Sequence, residues 1–358
     1  MSSKQRNSLP SWGNELWLTR GQRRFIGTVT TVTVVVGLVG WLLSLTPGPS
    51  AMAIRSLFER GGAETAAEMQ KHVPDVPLDV LLDQHVGGDE DDSTAGDPSR
   101  YDVFSPADGD EPLPTIVWVH GGAWISGSST DVDPYLRILA AEGYTTVGLN
   151  YSLGPEETYP TAVHQLNDAL LELEARADDL RIDRDRIVLA GDSAGAQLAS
   201  QLAALTTNPR YAQLLGIDPA LDASQLVGVV LNCGVYDLDA MSELTGLPAW
   251  GFRVALWAYT GKKDWSQGAA GSTMSTIDFV TEEFPPTYIS GGNADGLTWL
   301  QSLPMRDRLV DQGVDVTELF WPADHEPALG HEYQFHLDGE DAQAALVETL
   351  EFLQGVTR

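Results

Sequence analysis

A chain of 358 residues is long enough for one large α/β domain with additions, or for two ordinary domains. Hydrophobic residues make up 43% and charged residues 20%, which implies a packed core and excludes a chain disordered throughout. The formal net charge is −30, and a body so acidic lacks the basic surface that phosphate binding needs, which excludes nucleic acid as a partner. Such a charge favours solubility.

The charge is uneven along the chain. Residues 1–53 hold Lys4, Arg6, Arg20, Arg23 and Arg24 against a single acid, Glu15, so this stretch is +4 and the remainder −34. Residues 1–24 therefore read as a basic N-terminus. Residues 25–45, FIGTVTTVTVVVGLVGWLLSL, carry no charge. As a helix this run reaches roughly 31 Å, about the thickness of the hydrocarbon layer. Arginines before it place the N-terminus in the cytoplasm and the body outside. Ala51-Met52-Ala53 has the small-x-small form of a signal-cleavage site, so a secreted protein is the alternative. The apolar run is longer than a usual signal core, and an uncleaved single-pass anchor is the expectation.

Residues 54–75 have the pattern of an amphipathic helix, with Ile54, Leu57 and Phe58 apolar and Arg55, Glu59 and Arg60 polar. VPLDVLLDQHV and RYDVFSP read as two strands joined by an acidic, Gly-rich turn, GGDEDDSTAGDPS. That turn lacks the ligand spacing of a calcium loop and reads as solvated. From residue 113 strands and helices alternate. The strands are PTIVWVH, YTTVGLNY, DRIVLAG, LVGVVLNCG, PPTYISGG and VDVTELFW; helices are expected near 131–142, 160–177, from Ser193, 298–312 and 339–354. Apolar strands alternating with helices predict a mostly parallel sheet covered on both faces. Residues 237–284 interrupt the rhythm and carry Trp250, Phe252, Trp257, Tyr259 and Trp265. They read as an inserted cap over the C-terminal edge of the sheet. The single cysteine, Cys233, sits in an apolar stretch and reads as a buried structural thiol.

Two short motifs carry chemistry. Gly191-Asp192-Ser193-Ala194-Gly195 follows an apolar strand and opens a helix. This is the setting of a nucleophile elbow, where a sharp turn exposes a serine and small residues avoid clashes around it. His120-Gly121-Gly122-Ala123-Trp124 follows another strand. Its paired glycines allow main-chain N–H groups to turn into a cavity. With the N–H of Ala194, those of Gly121 and Gly122 suit an oxyanion hole. His120 reads as structural, and Trp124 as a residue lining the substrate pocket.

On these motifs the chain resembles the α/β-hydrolases of the hormone-sensitive-lipase-like and carboxylesterase group. His120–Trp124 is similar to that group's oxyanion motif and Gly191–Gly195 to its elbow. NYSLGPEETYP, residues 150–160, is similar to the tyrosine and Pro-Glu elements between them. The likeness covers roughly residues 75–358. It implies an α/β-hydrolase fold and the chain order Ser, Asp, His. The acid is then Asp295, in Asp-Gly-Leu where the group often has Asp-Pro-Leu; Asp237 is the fallback. The base is then His331, in His-Glu-Tyr where the group often has His-Gly-Phe, with His325 as the alternative and His336 as a surface residue.

The expected protein is an α/β-hydrolase domain over 54–358 behind a membrane anchor. It is expected to cleave small or short-chain carboxylic esters through an acyl-enzyme on Ser193, with no cofactor and no metal. No cluster with zinc spacing stands out. An amidase or formamidase on the same residues, and a non-catalytic binding protein on the same fold, remain open alternatives.

Overall fold

The computed structural model describes residues 20–87 and 97–358. Most of the basic N-terminal stretch and most of the acidic turn lie outside them. The chain divides into two compact units, one ending at Thr46 and one running from Pro47 to Arg358.

In the first unit, helix α1 runs Arg20–Leu43. Its segment Arg24–Trp41 has a mean hydropathy of 1.5, and none of it is buried. By length and composition it can cross a membrane. The hydroxyls of Thr28, Thr31 and Thr33 bond back to carbonyls one turn earlier, which leaves no polar hydrogen-bonding group on them unmet.

The second unit opens with helix α2, Gly48–Met69. It begins ahead of the amphipathic pattern because Pro49 suits the first helical turn, where its missing N–H costs nothing. Strands β1 (Leu78–His85) and β2 (Arg100–Pro106) form an antiparallel pair. Then come β3 (Leu113–Val119), α3 (Ser129–Ala141), β4 (Thr145–Leu149), α4 (Thr161–Ala175), β5 (Ile182–Asp192), α5 (Ser193–Thr207), α6 (Pro209–Leu215) and β6 (Leu226–Asn232). Helices α7 (Leu238–Met241), α8 (Gly246–Thr260) and α9 (Ala269–Met274) make up the interrupting segment. Strand β7 (Thr287–Gly291), helix α10 (Leu303–Asp311), strand β8 (Val316–Phe320) and helix α11 (Glu340–Val356) complete the unit. The expected helix over 298–312 starts as one wide π turn, Thr298–Ser302, before it becomes α10.

The eight strands make one sheet in the order β1-β2-β4-β3-β5-β6-β7-β8. Only the pairings of β1 with β2 and of β2 with β4 are antiparallel. Alternate residues of each strand feed opposite faces. Val117, Val119, Leu189 and Leu231 pack with α4 and α5. Ile116, Trp118, Val188 and Val230 pack with α3 and α11. Burial on both faces explains the apolar runs Ile116–Val119 of β3, Ile187–Ala190 of β5 and Val229–Leu231 of β6. Edge strand β1 has its middle open to solvent. The parallel strands all end on one edge of the sheet, the side where open α/β folds place their sites.

Candidate active site

Four loops leaving that edge bring the chemistry-bearing residues together. β3 and β5 are neighbours, with Val119 opposite Gly191, so the His120 loop and the Ser193 turn emerge side by side. Strand β7 leads to Asp295 and β8 to His331.

Ser193 is the first residue of α5 and has φ +51°, a left-handed backbone that costs a non-glycine residue about 1–3 kcal/mol. The turn is tight enough to exclude side chains on its flanks. A β-carbon on Gly195 would lie 2.0 Å from the Val119 carbonyl oxygen, and one on Gly191 would lie 2.5 Å from the Gly195 carbonyl carbon. The serine is therefore held by backbone packing alone, at the positive end of a fully packed helix.

Ser193 Oγ lies 2.9 Å from His331 Nε2, and His331 Nδ1 lies 2.7 Å from Asp295 Oδ2. Asp295 Oδ1 accepts the N–H of Leu297 at 2.9 Å, which fixes the carboxylate. Asp295 is buried, while the His331 side chain is 37% exposed. Burial disfavours a charged imidazole there. The Asp295 carboxylate bonded to Nδ1, with Glu332 next to the ring, outweighs burial and raises the His331 pKa above the usual histidine value.

The alternatives sit elsewhere. His325 Nε2 pairs with Asp341 at 3.1 Å, and its ring stacks on Trp321. His336 pairs with Glu68. Asp237 accepts the N–H of Ala240 at 3.1 Å and caps α7, the ordinary role of a loop aspartate.

The His120 loop reverses through three left-handed residues, Gly122, Ala123 and Trp124. The Gly122 carbonyl turns inward to accept the N–H groups of Ile125 and Ser126. Among the described residues, the N–H groups of Gly121 and Gly122 donate to no protein acceptor. His120 is buried and stacked on Tyr151, its Nδ1 2.8 Å from the Gly121 carbonyl; burial lowers its pKa to about 4, so it is neutral. Tyr151 donates to the His120 carbonyl at 3.0 Å, and Gly154 N–H donates to the Trp124 carbonyl at 2.8 Å. The residue-150 segment thus braces this loop. Trp124 is fully buried, its indole N–H on Gln197 at 3.0 Å and its ring stacked on Tyr259 of the interrupting segment.

Two features escaped sequence reasoning. Asn293 staples the acid and base loops: its Oδ1 accepts Leu329 N–H at 2.8 Å and its Nδ2 donates to the His325 carbonyl at 2.9 Å. An asparagine in a Gly-Gly-Asn-Ala-Asp turn offers no signal that separates this from a local bond. Cys233 lies against the site, its sulfur, Asp295 and His331 all within 4.8 Å of one another. Among the described residues this is the one such trio able to hold a metal. Burial pushes the Cys233 thiol up, so it holds its proton, and Asp295 already accepts from His331. With the thiol protonated, the arrangement suits proton movement along the line Asp295–His331–Ser193.

A parallel sheet with a serine at the strand–helix turn of β5, and carboxylate and histidine on the later loops, defines the α/β-hydrolase class. A family model named BD-FAE, of α/β-hydrolase type, matches residues 101–309, and the chain belongs to that family. The fold is similar to esterase B from Lactobacillus rhamnosis, solved with a C6-C4 SN3 inhibitor, with TM-score 0.71 and 22% identity over 86% of this chain and 96% of that one. It is similar to an esterase from Pyrobaculum calidifontis, with TM-score 0.65 and 21% identity over 86% and 94%. A bacterial heroin esterase matches with TM-score 0.61 and 22% identity over 85% and 91%.

Proposed function

We propose that the protein is a serine carboxylic-ester hydrolase. The observation that carries this reading is the unbroken chain Ser193 Oγ–His331 Nε2 at 2.9 Å and His331 Nδ1–Asp295 Oδ2 at 2.7 Å. In this reading His331 takes the serine proton as Oγ attacks the ester carbonyl. Asp295 holds the tautomer and stabilises the imidazolium. The N–H groups of Gly121, Gly122 and Ala194 receive the oxyanion, each contributing about 10²–10³ in turnover. The imidazolium then gives its proton to the departing alkoxide, and water resolves the acyl-enzyme. Trp124 shapes the pocket from behind, holding the oxyanion loop against Tyr259. The named esterases with the same fold support an ester substrate, and small or short-chain esters are the expected class.

Residues 25–45 anchor the chain in a membrane with the hydrolase unit on the extracytoplasmic side. Ala51 supports the uncleaved form. It is fully buried in a cluster with Ala123, Ile125 and Ala255, so a cut after Ala53 would remove a core residue.

The test is a nitrophenyl ester series of increasing acyl length, with fluorophosphonate labelling. Wild-type protein is expected to favour short acyl chains and to label. Ser193→Ala is expected to lose both, with a rate loss of about 10⁴-fold or more. Failure to hydrolyse any ester, with an unlabelled serine, overturns the reading. Preference for amides over esters in the same panel would move it to an amidase.

A further inference from the structure

Glu332 follows His331 and stands in left-handed backbone, φ +58°, a conformation that a glycine would adopt without strain. Its Oε1 lies 3.7 Å from His331 Nε2, the atom that faces Ser193. On the other side stands Asp192, the residue before Ser193. Asp192 is buried, and its Oδ1 accepts the indole N–H of Trp118 at 2.8 Å. Both carboxyl groups crowd the same face of Gly121. A β-carbon there would lie 2.2 Å from Asp192 Oδ2 and 2.9 Å from Glu332 Oε1. Among the described residues no lysine or arginine pairs with either group.

We propose that Asp192 and Glu332 share one proton, Asp192 Oδ2–H donating to the Glu332 carboxylate, and that this bond keeps Glu332 off His331 Nε2. Glu332 is thereby a positioning residue of the reaction, and the inference rests on the hydrolase reading above. Two carboxylates packed this closely cannot both be ionised near neutral pH. Burial and the neighbouring Glu332 raise the Asp192 pKa well above the carboxylate range, so Asp192 is the partner that keeps the proton. The other groups facing the pair are His331, Tyr151, Asp131 and the Cys233 thiol. Asp131 is itself raised by burial and by Glu332; His120 is neutral.

The bond matters because of what Glu332 does without it. When His331 becomes an imidazolium, its Nε2–H must be delivered to the leaving alkoxide. A free Glu332 carboxylate is close enough to accept that hydrogen instead. At high pH Asp192 loses its proton to solvent, the two carboxylates repel, and Glu332 turns to Nε2. The same titration weakens the fold. An acid whose folded pKa is raised contributes stability that is full below its unfolded pKa, near the ordinary carboxylate range, and lost as pH rises through the folded value.

The experiment compares the full-length wild type with E332Q, D192N and D192A. kcat/KM for a short-chain nitrophenyl ester is followed from about pH 5 to 10, and melting temperature over the same range. Wild type is expected to lose activity on the alkaline side and to melt lower as pH rises. In E332Q an amide donates permanently to Asp192, so the alkaline loss disappears and the melting temperature falls less steeply with pH than in wild type. D192A frees Glu332 and lowers kcat about tenfold at neutral pH; D192N, which keeps a donor, restores it. Superimposable pH profiles and parallel melting curves for wild type and E332Q overturn the pair, as does equal kcat in D192A and D192N. If wild type cleaves no ester, the hydrolase reading fails, while the melting curves still decide the shared proton.

Discussion

The serine and the histidine of the site are held in opposite ways. Ser193 ends a central strand and starts a helix whose residues are almost all buried, and main-chain packing at Gly191 and Gly195 defines its place. His331 lies in irregular chain between β8 and α11, with more than a third of its side chain open. Side-chain bonds hold it: Asp295 on its ring, Asn293 on its loop, Glu332 beside it. Ser193 is thus part of the core, whereas His331 is placed by long-range polar contacts. Point changes should therefore disable the base without disturbing the serine.

The sharpest way to break the comparison is at Asp295. Asp295→Asn keeps the shape but supports the wrong tautomer of His331, and kcat is expected to fall about 10⁴-fold. Far-ultraviolet circular dichroism is expected to match wild type, and loss of the fold would show that the base loop supports the core. A smaller effect is expected at the staple. Asn293→Ala frees the Leu329 N–H and the His325 carbonyl and loosens the base loop, with a fall in kcat of about tenfold. Unchanged kcat would mean that Asp295 alone positions the ring. The smallest is expected at His325, whose ring pairs with Asp341 away from the serine. His325→Ala is expected to change kcat/KM by less than about twofold, and a loss comparable to that of Asp295→Asn would reassign the base.

The same contrast explains what could be read without coordinates. What local pattern sets was legible: strands β1 to β8, helices α3, α4, α5, α10 and α11, and both glycine motifs, because period, glycine spacing and strand–turn–helix context act over a few residues; helices α6 to α9 were not. The elbow serine was legible for the same reason that it is rigid. The contacts that assemble the base were not. Asn293 meets Leu329, and Asp192 meets Glu332, across large sequence separations, and each residue read alone suits an ordinary turn. Glu332 did stand out as a departure from the glycine common at that place in similar proteins, but its partner lay beside the serine. Trp124 was expected to line the pocket; its indole is buried against Gln197 and Tyr259, a packing that no linear pattern encodes. The π turn at Thr298–Ser302 was likewise hidden inside a helical period.

Helix α2 has a consequence for shedding. Arg55 reaches from it to the carbonyls of Ile125 and Gly154 and to the carboxylate of Glu156, so the helix is bolted to the loop that carries Gly121 and Gly122. In the proposed anchored form, a protease releasing the second unit has Ser44–Pro47, the link between α1 and α2, in which to cut without stripping that helix. A cut beyond Ile54 would free a body already missing a wall of the loop that carries Gly121 and Gly122.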